Sequence, residues 1–541
     1  MSKMSSFSLP SLRRSRIFIL YTLASSALIF ILIKTSYPDL FAPLHTKWPH
    51  SISFTDAILK SSIPLGPIKP YLVRKPKQDV NATVKSIQAL ANRIEPYLVA
   101  WMDRPVRSYE EALISNEKAC GKDREEQSNP DQLNNAAKLW GAITSQAVLR
   151  IRAEVISGIH QFFQESLSQV VNGTQASHLT LEGVLGRPLI GEGTQGIVIT
   201  GGNGDTMRRL MVTIRILRKK HECRLPIEIF MFPEELEQVT DFRTEILALG
   251  GIEIKPLPYP KDQKAWKNFQ IDNIPLVDPT FLFESPVFKQ WGIVLWPDIT
   301  KDGARNPIWR LASQTCIPQD WQVDSGQILV DKSAQRGLVF GALLVAAQMQ
   351  LHHQFWFRIS EGDKDTFRYA LYSLQLPWNR APHWLSSGGG FRSGNEYCGH
   401  TMFQYSLSSE DWSHYPSFLK TTLSETQREH APPLFAHINL LKHTGGFNRG
   451  ETFKVLHSLG PSDLVTRQNL NVSDVVRAKV KFEKGMCVYY TILNQSPSQS
   501  VISVKPNEDD SKVWILEESW KDAWGGLLED FESVYWDNGG L

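Results

Sequence analysis

Hydrophobic positions in the middle of the chain follow two different periods in turn. Short apolar runs, typical of buried strands, alternate with stretches whose apolar residues recur every three or four positions, as on one face of a helix. The strand-like runs are residues 196–200, 225–231 and 251–255. Strands and helices in this alternation predict an α/β fold with a parallel sheet, in which ligands gather at the carboxyl ends of the strands.

The helix predicted between the first two strands has one apolar face. Asp205 is placed to cap its start, and a further helix is predicted to begin at Pro233. The residues of the apolar face are Met207, Leu210, Ile214 and Leu217.

Different patterns flank this central region. From 133 to 171, apolar residues recur at helical steps, which predicts either a helical stem or, as we favour, a helical pair docked on the main domain. After about 452, short alternating runs predict a β-rich C-terminal appendage. These runs are residues 475–480, 486–493 and 501–504.

Near the N-terminus, residues 17–33 are uncharged and mostly apolar, at the lower limit for a helix that crosses a hydrocarbon core of about 30 Å. Basic residues lie mainly before this run, so we expect a single-pass anchor with its N-terminus in the cytosol. A cleaved signal peptide is the alternative, but no convincing cleavage site follows Ile33. The predicted division is a cytosolic tail (1–16), a transmembrane signal anchor (17–33), a stem and helical region (34–183), a main domain (184–450) and the appendage (451–541).

Charge and cysteine usage exclude some classes of function. The net charge is +2 and no basic stripe is interleaved with aromatic residues, so we exclude nucleic-acid binding. The five cysteines include no CxxC pair, which argues against a structural zinc site, and their odd number leaves one thiol unpaired within the chain. All five follow the predicted anchor, in a compartment that would permit disulfides.

Several short motifs occur in one order along the main domain. They are residues 196–203, 225–228, 272–279, 296–298, 306–309, 324–327, 362–367 and 435–439. In this order the chain resembles fungal Golgi α-mannosyltransferases of glycosyltransferase family 71, from about residue 184 to 447. The resemblance implies a single Rossmann-like catalytic domain of GT-A type. It also implies transfer of mannose from GDP-mannose to a mannoside acceptor on glycoprotein glycans with retention of configuration, Mn²⁺ as a divalent cofactor, and a Golgi membrane position with the catalytic domain lumenal.

The resemblance assigns the metal site to Asp272 and His437, with Lys442 near enough in sequence to meet a phosphate. Breaking a sugar-diphosphate bond leaves negative charge on the β-phosphate. A hard divalent cation held by carboxylates stabilises this charge and so lowers the activation barrier of the reaction. Without the other motifs, Asp272 reads as the start of a turn and His437 as a buried core residue, so these alternatives stay open.

Gly201, Gly202 and Asn203 follow the first strand, where backbone N–H groups and a helix N-terminus can meet the nucleotide. A glycine turn that merely ends the strand is the alternative.

Asp363, Asp365 and Asp324 are the carboxylate candidates for the reaction. Asp363 is expected to face the donor mannose, where it would hold hydroxyls or stabilise an oxocarbenium-like transition state. Asp365 can cap the helix that follows, and capping is enough to explain it. Asp324 is a candidate acceptor-side contact, although loop structure explains it nearly as well.

One segment departs from the family pattern. The family carries Asp-x-Asp after a buried strand, whereas this chain has Gln270-Ile271-Asp272. Residues 261–267 are too charged for a central strand, and the interval from 255 to 272 hardly accommodates a helix plus a strand. We hypothesise a deletion at the Ile271/Asp272 junction, either real or a wrongly drawn exon boundary. A real deletion predicts loss of a central strand and of a metal ligand, and makes a catalytically silent relative, a partner or scaffold in a transferase complex, the alternative function.

Overall fold

The computed structural model describes fourteen stretches of the chain, with strands in two sheets of seven and nine strands. The described residues are 30–33, 80–121, 130–171, 195–256, 273–318, 320–360, 362–392, 396–438, 440–444, 447–460, 476–481, 487–492, 501–502 and 514–540. Asp272 and residues 17–29 of the predicted anchor lie outside them.

Four helices occupy the described residues between 80 and 171. They are α1 (Val80–Asp103), α2 (Tyr109–Cys120), α3 (Pro130–Ala142) and α4 (Ser145–Val171). Leu98 of α1 and Val155 of α4 are buried in the same apolar cluster as Ile328, a residue of the first sheet. Trp101 also donates its Nε1–H to the carbonyl oxygen of Leu311 over 2.8 Å. The helices predicted over 133–171 are therefore docked on the main domain.

The first sheet contains the predicted strands of the main domain. Its members are β1 (Phe30–Ile33), β2 (Gly196–Thr200), β3 (Ile227–Met231), β4 (Ile252–Pro256), β6 (Ile293–Lys301), β7 (Trp321–Val330) and β8 (Asn379–Arg380), in the order β4-β3-β2-β1-β7-β6-β8. β2, β3 and β4 are parallel, as predicted. β7 runs antiparallel to β6, so the sheet is mixed and the prediction of a parallel sheet was wrong here. The connection between β6 and β7 contains only one short helix, α9 (Ile308–Leu311), and antiparallel neighbours need no helical crossover.

The amphipathic helix after β2 is confirmed, but its predicted cap is wrong. α5 (Gly204–Arg215) buries Met207, and Asn203 rather than Asp205 caps it, accepting a hydrogen bond from the Thr206 N–H over 3.0 Å. Asn203 is the residue that directly precedes the first turn, with extended backbone, as a cap requires. Asp205 lies inside that turn and pairs with Arg209 at 2.8 Å. Two helices, α6 (Pro233–Gln238) and α7 (Thr240–Ala248), then lead to β4.

The central position of the first sheet is occupied by β1. Ile31 lies beside Val198 of β2 on one side and Ile328 of β7 on the other, antiparallel to the first strand and parallel to the second. These four residues end the segment that the sequence predicts to be a membrane helix, and here they form a strand. No described helix is both long and apolar enough to span a membrane. β1, from the N-terminal segment, fills the central position of this sheet, and residues 257–272 lie outside the described part of the chain.

The second sheet combines strands of the main domain with the C-terminal ones. Its strands are β5 (Asn273–Pro275), β9 (Ser386–Arg392), β10 (Glu396–Tyr405), β11 (Pro433–His437), β12 (Val455–Gly460), β13 (Val476–Lys481), β14 (Cys487–Ile492), β15 (Val501–Ile502) and β16 (Trp514–Ser519). β12 pairs with β9, and β14 pairs with β10, to which the disulfide Cys398–Cys487 also ties it. The C-terminal runs are strands as predicted, and the predicted boundary at 450/451 falls inside one continuous sheet.

The remaining helices pack around and between the sheets. They are α8 (Pro286–Trp291), α10 (Leu338–Leu351), α11 (His353–Ser360), α12 (Thr366–Leu374), α13 (Leu419–Thr422), α14 (Glu425–Arg428), α15 (Leu441–Thr444) and α16 (Phe531–Asp537). A second disulfide, Cys120–Cys316, links α2 to the segment before β7, and Cys223 is a free, buried thiol. The prediction of one unpaired cysteine is confirmed.

Candidate active site

The two sheets meet where β7 contacts β5, β11 and β10. Asn273 on β5 lies directly opposite His437 on β11, which lies opposite Met402 on β10. Residues directly opposite in antiparallel strands point to the same side, so the side chains of Asn273 and His437 are neighbours. Thr213 of α5 donates its hydroxyl to the Asn273 carbonyl oxygen over 3.0 Å. The residue that follows Asp272 is thus held next to His437.

His437 and Asp324 are bonded to each other. His437 Nδ1 lies 2.6 Å from Asp324 Oδ2, and both residues are more than nine-tenths buried. Burial alone would raise the pKa of Asp324, but the charge and hydrogen bond of His437 outweigh it, helped by the Gly326 N–H and the Gln404 amide, so the pKa is lowered. Asp324 therefore stays ionised and orients the imidazole. Its expected acceptor-side role remains a prediction, and its observed partner is the predicted metal ligand.

Three amide side chains extend this pair. Gln404 Nε2 donates to Asp324 Oδ2 over 2.8 Å, Gln327 Nε2 donates to Gln404 Oε1, and Asn273 Nδ2 donates to Gln327 Oε1. All of these side chains are buried. The five residues, Asn273, Gln327, Gln404, Asp324 and His437, form one hydrogen-bonded chain, which we call the amide relay.

A bulge in β7 leaves room beside the relay. Leu295 of β6 pairs with Ile328 and Trp296 with Asp324, so the intervening residues of β7 bulge out of the ladder. Bulges often re-aim side chains next to active sites. A Cβ placed on Gly326 in this bulge would lie 3.1 Å from Asn273 Nδ2 and 3.3 Å from both carboxylate oxygens of Asp324. Glycine thus keeps a small gap between these two side chains.

The donor atoms at this place suit a divalent cation. Asn273 Oδ1 is a buried oxygen with no hydrogen-bond partner among the described residues, and His437 supplies an imidazole. Oxygen and imidazole donors fit Mn²⁺, and a metal-binding histidine commonly gives its other ring nitrogen to a carboxylate, as His437 does to Asp324. Within the described residues no three His, Cys, Asp or Glu side chains form a metal group by themselves. Asp272, the predicted ligand, directly precedes Asn273 and lies outside those residues.

The predicted nucleotide loop lies at the same edge of the first sheet. β2 and β7 flank β1, so the end of β2 and the β7 bulge are about two strand spacings, or about 10 Å, apart. Gly201 is buried against β3, and a Cβ there would lie 2.4 Å from Met231 Cγ. Gly202 is buried beside Thr206, and Asn203 caps α5, so packing explains these residues without a ligand. Their nucleotide role stays a prediction, as does that of Lys442, which lies in α15 and whose side chain is outside the described part.

Asp363 and Asp365 lie in a second cluster on the other side of Asp324. Asp365 Oδ1 accepts from the Val323 N–H over 3.1 Å, one residue before Asp324, and from Arg368 Nε over 2.9 Å. Asp365 occupies the N-cap position of α12, but its side chain makes no capping bond, so the predicted capping role is wrong. This carboxylate instead forms a buried ion pair with the guanidinium group of Arg368.

Lys364 joins this cluster to Asp298, which belongs to the 296–298 motif. Its Nζ lies 2.9 Å from both Asp298 Oδ2 and Asp365 Oδ2, and it donates to Gln322 Oε1 over 2.6 Å. Burial alone would lower the pKa of Lys364, but the charges of Asp298 and Asp365 raise it well above its ordinary value, so the amine stays charged. Asp363, between Gly362 and Lys364, is almost fully buried, and its backbone oxygen accepts from Thr366 N over 2.9 Å. The loop that carries Asp363 is therefore fixed on both sides.

Sequence reasoning missed several residues of these clusters. Arg368 follows Asp365 by three positions on α12, a spacing that could have indicated the pair. Gln404 and Asp320, which also contacts Arg368, carried no signal, because isolated polar residues in strand-like or loop-like sequence are usually exposed.

Part of the chain matches a known protein family. A family model described as "Mannosyltransferase putative" matches residues 194–267 and 312–406, which contain the Gly201 loop, Asp324, Asp363 and Gln404. The break in the match includes the Ile271/Asp272 junction. No curated protein shows significant similarity to the chain. The family match supports a place for this chain among the mannosyltransferases, and with it a role in mannosyl transfer by a glycosyltransferase.

Proposed function

We propose that this protein is a metal-dependent mannosyltransferase that moves mannose from GDP-mannose to a mannoside acceptor on glycoprotein glycans, with retention of configuration. The observation that carries the proposal is the Asp324–His437 pair beside the residue that follows Asp272, inside a chain whose flanking segments match a mannosyltransferase family. Four candidates from three separate motifs lie along β7 or in contact with it or its bonded neighbours: Asp324, His437, Asp363 and Asp365.

The candidate residues suit distinct tasks in this reaction. A bound Mn²⁺ would stabilise the negative charge that develops on the leaving diphosphate. Asp272 and His437 would hold that cation, while Asp324 orients the imidazole through Nδ1. Asp363 would face the donor mannose from a loop that Lys364 holds in place, and the N-terminus of α5 behind Gly201 and Gly202 would meet the nucleotide.

We propose a Golgi membrane position with the catalytic domain lumenal. The two disulfides, Cys120–Cys316 and Cys398–Cys487, suit an oxidising compartment. Anchoring would use residues 17–33, the end of which forms β1 in this structure. Residues 30–33 cannot lie in the sheet and in the membrane at the same time.

That conflict favours the second candidate function, a catalytically silent relative that acts as partner or scaffold. If the deletion at the Ile271/Asp272 junction is real, the first sheet would need a central strand from another part of the chain, and β1 occupies that position. Sequencing the transcript across the Ile271/Asp272 junction separates the two versions of the deletion. A longer transcript with an apolar strand at this point would leave residues 17–33 available as an anchor, whereas a read identical to this chain makes the deletion real.

The test of function is a transfer assay on the full chain purified in detergent. With GDP-mannose, Mn²⁺ and a mannoside, we expect a mannosylated product that requires the metal and is absent with UDP-glucose as donor. No transfer together with no binding of GDP would reject the enzyme and leave the silent relative.

A further inference from the structure

The side-chain oxygen of Asn273 is the polar atom of the site that needs an explanation. Its side chain is fully buried, its backbone oxygen is held by Thr213, and it lies opposite His437 in the β5–β11 pair. Its Oδ1 has no hydrogen-bond partner among the described residues. Buried amide oxygens are normally bonded, so an unpartnered one next to a histidine needs an explanation.

The amide relay determines which atom of Asn273 is left over. Asp324 Oδ1 accepts from the Gly326 N–H and Asp324 Oδ2 accepts from Gln404 Nε2, so Gln404 presents its NH₂ group to this carboxylate. The Gln404 oxygen then faces the NH₂ group of Gln327, and the Gln327 oxygen faces the NH₂ group of Asn273. These contacts fix the order of donors and acceptors along the relay, and the unpartnered atom of Asn273 is its oxygen and not its nitrogen.

An amide oxygen held in this way is a ligand for a hard cation. Mn²⁺ takes carboxylate, amide and imidazole donors, and His437 presents its imidazole on the same side of the sheet. The sequence has Gln270 where the family has the first aspartate of its Asp-x-Asp. We propose that Asn273 supplies its Oδ1 to the cation beside His437 and so replaces the ligand that position 270 lacks. This inference rests on the proposed metal-dependent function.

The test measures Mn²⁺ binding to the full chain by electron paramagnetic resonance of the free ion, without substrate. In N273A we expect Mn²⁺ to bind about tenfold more weakly or worse. In N273D we expect affinity at least equal to that of the wild type, because a carboxylate is the stronger ligand. The matched control is N116A, since Asn116 is equally buried but has both amide atoms bonded, to Ala304 O and Cys316 N, and its loss should leave Mn²⁺ affinity unchanged.

Wild-type affinity in N273A, or weaker binding in N273D than in the wild type, would overturn the inference. If N273A is not recovered folded, the N273D titration alone decides. Mannosyl transfer is assayed on the same wild-type preparation. If the wild type transfers mannose but its Mn²⁺ affinity does not depend on Asn273, only this inference is rejected. If the wild type neither transfers mannose nor binds GDP, the proposed function is rejected, and the Mn²⁺ titration of the Asn273 variants can still be interpreted.

Discussion

The Nδ1 of His437 and the Oδ2 of Asp324 lie 2.6 Å apart, across the contact between the two sheets. The two residues belong to different motifs and were expected to act separately, one on a metal and the other on the acceptor. Their bond makes Asp324 the group that sets the tautomer and orientation of His437, and Gln404 connects it to the rest of the amide relay.

Replacing Asp324 by asparagine should therefore disable the site without unfolding the protein. D324N removes the charge that holds His437 Nδ1, so we expect Mn²⁺ affinity and transfer rate to fall about 10- to 100-fold. The measurements are a Mn²⁺ titration and initial rates. D278N, which removes the charge of a carboxylate that bonds Thr280 outside the site, should keep wild-type affinity, and equal losses in both variants would contradict the assignment.

The two carboxylates of the 362–367 motif should behave differently. D363N should fold normally but lose transfer about 100-fold or more, because Asp363 is the proposed donor-facing group. D365N should lower the free energy of unfolding by about 3 kcal/mol, because it weakens the fully buried ion pair with Arg368. Urea unfolding and initial rates on each variant separate the two effects. If D365N kept the stability of the wild type but lost most of its transfer rate, the donor-facing role would belong to Asp365 instead of Asp363.

Asp320 should make stability depend on pH. Burial raises its pKa to about 6, against an ordinary value of 3.8, although Arg368 opposes the shift. The pKa of Asp320 is higher in the folded chain than in the unfolded chain, so the folded chain binds this proton more tightly. Protonation of Asp320 therefore stabilises the folded chain as the pH falls below about 6, and this stabilisation is lost as the pH rises through about 6. Between pH 7 and pH 5, the unfolding free energy of the wild type should gain about 1 kcal/mol relative to D320N. A gap that is the same at both pH values would show that Asp320 does not titrate there.

Arg152 should be among the residues on which docking of the helical region depends most. Its guanidinium is fully buried and donates to the backbone oxygens of Leu311, Trp101 and Arg104, at 2.9, 3.0 and 2.7 Å. R152M leaves these oxygens without a donor and should lower the free energy of unfolding by about 3 kcal/mol or more. R150M on the same helix is the control, because Arg150 is 59% exposed and should change stability by about 0.5 kcal/mol at most. Similar losses in the two variants, measured in urea, would contradict the docking role.

Thiol titration should give one reactive cysteine, and only after unfolding. Burial, with the nearby charge of Asp278, raises the pKa of Cys223 to about 11, which keeps its thiol protonated and unreactive in the native chain. With Ellman's reagent we expect no reaction in the folded protein, and one thiol in denaturant without reductant. Three thiols in denaturant would mean that one of the disulfides, Cys120–Cys316 or Cys398–Cys487, does not form.

The sequence pattern was sufficient where a single local preference dominates. β2 and β3 are mostly apolar and mostly buried, β4 alternates apolar and charged residues, and α5 has one apolar face, so each element follows from its own residues. Caps were harder. Asn203 and Asp205 are both good capping residues two positions apart, and only the path of the backbone into the helix selects Asn203.

The site shows the other limit of sequence reasoning. Its candidate residues were recognised one by one from motifs, but motif order says nothing about which side chains touch. His437 meets Asp324 over a separation of 113 residues, and Gln404 joins them from a strand that carried no signal. Such contacts depend on strand register and on the crossing of two sheets.

By itself, the sequence determined the alternation of strands and helices, the candidate carboxylates and histidine, the odd cysteine and the shortage of chain before Asp272, because these depend only on residue type and spacing. Only the tertiary structure decided that Asp365 pairs with Arg368 rather than capping α12, that Asp324 orients His437, and that residues 30–33 fill the centre of the first sheet. The physical reason is that a buried charge or an unpaired strand edge takes the best partner available anywhere in the folded chain, and that choice is not encoded in the neighbouring residues.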